Sequence, residues 1–177
     1  KTTSYKAVAL KPVNEGQQFV VGCQDGRTLV VDSANFESVQ LSLPAENSQM
    51  RFVTGSSKAN LLFTKSWAGN LKLYDLATGN LTFEDWGLYP QLNHEANKLA
   101  IHQSGKLRLF AIHSAQPYNR SARAGSKIQL HSLDISPDGR SVACQTDLGF
   151  KIWNSETLQQ KDSSASAKKP KWISAKF

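Results

Sequence analysis

Short apolar runs recur along the chain, each closed by turn-forming residues, and the runs alternate apolar with polar positions. Aligning the glycine before each compact run gives four copies, "DGRTLVVD" (25–32), "AGNLKLYD" (68–75), "SGKLRLFA" (104–111) and "LGFKIWN" (148–154). Their last residues are Asp32, Asp75, Ala111 and Asn154, each preceded by a bulky apolar residue: Val31, Tyr74, Phe110 and Trp153. Upstream of each glycine lies a second run, "QFVVGC", "NLLFTK", "KLAIH" or "SVACQ". A third lies further upstream, "KAVAL", "MRFVT", "LYPQL" or "HSLDI". The links between them, "KPVNEGQ", "GSSKA", "NHEAN" and "SPDGR", are rich in turn residues. In "LKLYD" and "LRLFA" leucines alternate with Lys or Arg, the period of a half-buried strand, and helical spacing fits nowhere over a useful length. A fourth, weaker strand is expected in "ESVQLSL", "LTFEDW" and "KIQLH".

The copies end 43, 36 and 43 residues apart. Four strands in each such period is the pattern of a β-propeller blade, so the chain is expected to be all-β, built of four-stranded antiparallel blades. The blades are expected over about 5–43, 48–86, 88–131 and 132–160, and "KWISAKF" (171–177) aligns with the first strand of a further copy.

The stretch "LDISPDGRSVACQTDLGFKIWN" (133–154), with Trp153-Asn154 where Trp-Asp would stand, resembles the WD40 family. So do "LYDLATG" (73–79) and "CQDGRTLVVD" (23–32). The resemblance covers almost the whole chain and is strongest over 131–157. It implies four blades plus one strand of a larger ring of about seven blades. It further implies a non-catalytic scaffold for protein–protein interaction within a larger protein or multisubunit complex. The family often places an Asp before the turn glycine, bonded to a His and the Trp. That position holds Asp25, Ala68, Ser104 and Leu148 here, so at most one blade keeps such a network and packing is expected to hold the rest. TolB-like propellers also carry Ser-Pro-Asp-Gly and D-L-x-T-G signatures and stand as the alternative family.

Composition narrows the function classes. Hydrophobic residues make up 40% and charged residues 20% of the 177 residues, which fits a folded globular chain. No apolar run approaches the length of a membrane span, and no secretory signal is visible at the start, so an intracellular site, cytoplasmic or nuclear, is expected without membrane contact. The net charge of +7 favours an acidic partner, either a protein surface or nucleic acid.

Candidate chemistry dissolves into the repeat. Cys23 and Cys144 fall at nearly matching places in second strands, where a small packed residue belongs, so both are expected to be reduced and structural. His94, His102, His113 and His131 lack metal-ligand spacing, and Asp32, Asp75, Asp134 and Asp138 sit at repeat or turn positions. No catalytic set, cofactor loop or metal site is readable, and the chain is not expected to be an enzyme. What remains is surface character. The segment 113–127 carries Tyr118, Arg120, Arg123 and Lys127, and 161–171 carries Lys168, Lys169 and Lys171; both are expected to be links between strands. Trp67, in "SWAGN", and Trp86, in "EDWGLY", are the expected exposed aromatics and candidate partner contacts. RNA contact through the basic links, with Tyr118 stacking on a base, is the alternative.

Overall fold

In the computed structural model the alternating runs pair into sixteen strands, and the structure describes residues 5–93, 97–112, 118–123, 130–147 and 149–165. The first sheet holds β1 (Ala7–Val13), β2 (Gln18–Cys23), β3 (Thr28–Asp32) and β4 (Val39–Leu43). The second holds β5 (Met50–Ser56), β6 (Leu61–Ser66), β7 (Asn70–Asp75) and β8 (Leu81–Trp86). The third holds β9 (Leu88–Leu92), β10 (Lys98–Gln103), β11 (Lys106–Ala111) and β12 (Tyr118–Arg123). The fourth holds β13 (Leu130–Ile135), β14 (Ser141–Thr146), β15 (Gly149–Asn154) and β16 (Gln160–Ala165). Each sheet is an antiparallel meander in chain order. The only helix among the described residues is a 3-10 turn at Asn14–Gly16.

One expectation is corrected. The fourth strand of the third sheet is Tyr118–Arg123, pairing Tyr118 with Ala111 and Arg123 with Lys106. It lies in the segment expected to be a link, whereas Leu130 and His131 of "KIQLH" begin β13. An outer strand pairs on one edge only, so its backbone can complete a sheet without the apolar alternation that marks inner strands. The 171–177 segment lies outside the described residues.

The chain divides into two compact units, Lys1–Trp86 and Gly87–Phe177. In the first, Val13, Val20, Val30 and Leu43 of the first sheet pack on Val53, Leu62 and Tyr74 of the second. In the second, Ala100, Leu107 and Leu109 of the third sheet meet Leu133, Val142, Cys144 and Trp153 of the fourth. Burying each Leu or Val of these layers stabilises the fold by about 1.5–3 kcal/mol. The sheets of the first unit approach closely where residues are small. A Cβ on Gly22 would lie 2.8 Å from the Cβ of Met50, and one on Gly55 would lie 2.9 Å from Cγ1 of Val13.

The Asp or Asn that ends three of the four third strands has a local cause, which Ala111 at the end of β11 lacks. Asp32 Oδ1 accepts from the Ala34 amide at 2.7 Å, and Asp75 Oδ1 accepts from the Thr78 amide at 2.8 Å. Asn154 Oδ1 accepts from the amides of Glu156 and Thr157 at 2.8 and 3.0 Å. Each is an Asx turn that starts the link to the fourth strand, and Asn supplies the same acceptor as Asp. The Ser-Pro-Asp-Gly link works alike. Ser136 O accepts from the Gly139 amide at 2.8 Å across the turn, and Asp138 Oδ1 accepts from the Arg140 amide at 2.9 Å. Gly139 takes φ +68°, which a side chain would resist.

Candidate interaction surface

In an antiparallel meander the start of the first strand, the end of the second, the start of the third and the end of the fourth share one end of the sheet. In the first unit this end carries the links 24–27, 44–49 and 67–69, and it is cross-tied. Glu46 N donates to Gly26 O at 3.0 Å, Trp67 N to Gln49 O at 2.8 Å, and Ala68 N to Ser48 Oγ at 3.2 Å. Glu46 also pairs with Lys72 and accepts from Asn70 Nδ2 at 3.2 Å. The 44–49 link thus holds both tight turns in place, so side chains that project from them start from a fixed frame.

Both candidate tryptophans belong to this end. Trp67, 60% exposed, stands on the β6–β7 turn with the Arg51 guanidinium 4.5 Å from its ring centroid. Trp86, 43% exposed, lies over the same turn, and its Nε1 donates to Ala68 O at 3.2 Å. Gly69 (φ +95°) is required there, because a Cβ would come within 2.5 Å of Trp86 Nε1. A second stacked cation lies at this end: Arg27 sits 4.4 Å from the Tyr5 ring centroid while gripping Asp25.

Arg51 and Lys65 were not singled out from the sequence. Arg51 falls where the β5–β6 register shifts: Met50 pairs with Ser66 and Phe52 with Lys65, leaving Arg51 as the bulged residue. A bulge re-aims a side chain, and the sequence carries no mark of one here. Lys65, two residues before Trp67, is only 6% exposed and its ammonium pKa is pushed down, first by burial and then by the charge of Arg51. The same strand position is Gly22 in the first sheet, His102 in the third and Gln145 in the fourth. His102 is unusual too: neither ring nitrogen has a hydrogen-bond partner, and burial pushes its pKa down.

The remaining candidates separate. Tyr118, Arg120 and Arg123 lie on β12, on a strand and not in a link. Lys127, Lys168, Lys169 and Lys171 lie outside the described residues, as do His94 and His113. Cys23 and Cys144 are buried and unpaired, two positions apart in the strand repeat. Burial raises the Cys23 pKa and pushes that of Cys144 up to about 12, which keeps the thiols protonated and unreactive. Asp25 makes its side-chain hydrogen bonds to Arg27, so it caps its own turn where the family resemblance would place a His–Trp network. Among the described residues no three of His, Cys, Asp and Glu converge as metal ligands, and no helix is long and apolar enough to cross a membrane.

No protein-family model matches the chain, and no curated protein matches it by sequence. Among solved structures it is similar to the β-propeller domain of Cps50 (Swd1) from Myceliophteria thermophila, with a TM-score of 0.73 at 14% identity. That similarity covers 92% of this chain and 57% of the other, so the chain spans little more than half the length of the structure it matches. At this identity the likeness concerns the fold. The four antiparallel four-stranded sheets are blades of a β-propeller.

Proposed function

We propose that this chain is a WD40-like, non-catalytic scaffold that binds a protein partner through the cross-tied end of its first unit. The observation that carries the reading is the exposed Trp67 with Arg51 stacked on it, on a turn held by the 44–49 link. A large aromatic on a rigid turn gives a partner contact area at little cost in conformational entropy. The blade repeat, the Asx turns and the propeller fold support a WD40-like assignment over a TolB-like one only in concert with "LGFKIWN", whose Trp153 is a core residue, 3% exposed.

The test is capture on immobilised protein, with wild type and Trp67→Ala compared and bound proteins identified by mass spectrometry. The expected result is a defined protein that persists in high salt and is lost with Trp67→Ala. Equal capture by both proteins contradicts the reading. A second reading, an RNP-associated propeller contacting RNA through the basic segments, has the net charge of +7 in its favour. It requires binding of RNA that weakens steeply with salt and with Arg120→Ala combined with Arg123→Ala.

A further inference from the structure

The cations and acids of the cross-tied end are unevenly paired: Asp85 lies in register with Lys65 across Leu71, yet the two form no ion pair. Asp25 is held by Arg27, and Glu46 by Lys72 and Asn70. Among the described residues neither Arg51 nor Lys65 has an ion pair. The Arg51 guanidinium lies over the Trp67 indole, and a guanidinium stacked by its face receives a carboxylate at its N–H edge through two parallel hydrogen bonds. Lys65 sits beside it, nine-tenths buried. Partly desolvating an ammonium with no anion beside it costs stability, and the neighbouring guanidinium adds repulsion. Nothing in the packing of the blade needs that charge, since apolar or neutral residues fill the equivalent position of the first and fourth sheets. An anion arriving from outside would offset both penalties at once.

We infer that Arg51, Lys65 and Trp67 form a receptor for an acidic side chain of a protein partner, with the carboxylate between the two cations and an adjacent apolar residue on the indole. The inference rests on the protein-interaction reading and names the partner's chemistry. A nucleic-acid backbone fits less well. Its repeated phosphates ask for a run of unpaired cations, whereas this end interleaves its cations with Asp25, Glu46, Glu84 and Asp85.

The experiment titrates a labelled short peptide of alternating Glu and Leu, its Gln-for-Glu twin and an oligouridine against the whole chain, read by fluorescence anisotropy. Wild type, Lys65→Met and Arg51→Met are compared, with thermal unfolding recorded for each. The acidic peptide is expected to bind about tenfold or more tightly than its neutral twin, and either substitution to remove most of that difference. Lys65→Met is further expected to leave the unfolding midpoint equal or higher, because it replaces a partly desolvated cation that has no ion pair with an apolar chain of similar length. Equal binding of the two peptides, no binding at millimolar acidic peptide, or insensitivity to both substitutions overturns the inference. Oligouridine binding that depends on the same two residues, with none for the peptide, also overturns it. A captured protein lost with Trp67→Ala but kept by Lys65→Met and Arg51→Met overturns the carboxylate receptor and leaves the interaction reading standing. Capture indifferent to Trp67→Ala overturns both.

Discussion

Asp75 shows how much one acceptor atom does in this fold. Its carboxylate takes the Thr78 amide and hydroxyl and the Asn60 side chain, and these bonds hold its pKa below the ordinary 3.8. A folded-state pKa below the unfolded one stabilises the fold at all pH above about 3.8 and loses that contribution as pH falls through the lower folded value. Asp75→Ala is therefore expected to lower the denaturation midpoint at neutral pH and to flatten its fall in acid. Asp75→Asn is expected to retain more stability, as Asn154 does at the equivalent place; urea titrations across pH 2–7 check both. His102 works with the opposite charge. With both nitrogens unpartnered and its pKa held below 6.5 by burial, the folded state refuses a proton that the unfolded state accepts. Stability is expected to be level above about pH 6.5 and to fall as pH drops from there through the folded pKa. His102→Leu should remove that slope; an unchanged slope would assign it elsewhere.

At the scale of the element, the inner three strands of each blade were legible because burial writes itself as compact apolar runs and turns write themselves as Gly, Asn and Asp. The runs are continuous in the second strand and alternating in strands such as "LKLYD". "QFVVGC" and β2 coincide residue for residue, and among the outer strands "LTFEDW" coincides with β8. The outer strand Tyr118–Arg123 was not legible, since "YNRSAR" offers no apolar period and is defined by its pairing with β11. Glycine placement was legible as turns but not as close approach. Gly22 lies inside a strand, and it is glycine because the next sheet brings Met50 and Val53 against it. Gly22→Ala is expected to cost about 1–3 kcal/mol by forcing the two sheets apart, measured as a shift in the urea midpoint at constant slope. A neutral substitution there would mean that the sheets of the first unit yield more readily than their packing implies.

For the molecule as a whole, the period of the repeat was enough to read the propeller, because a blade is one supersecondary unit written four times. The candidate surface was only half legible. Trp67 and Trp86 stood out as aromatics beside a turn. Arg51 and Lys65 looked like ordinary strand cations, and what brings Arg51 to Trp67 is a bulge that no residue type announces. The charge excess shows the same limit. The sum of +7 was visible, whereas the engagement of Arg27 and Lys72 by neighbouring acids, which leaves Arg51 and Lys65 unneutralised, required the fold. The central claim, that the cross-tied end of the first unit is the recognition surface, is tested most directly by amide hydrogen exchange on the chain with and without its captured protein. Slowed exchange is expected at 44–51 and 65–70, with the links at 33–38 and 76–80 at the opposite end unchanged. Slowing confined to those opposite links, or to the second unit, would contradict it.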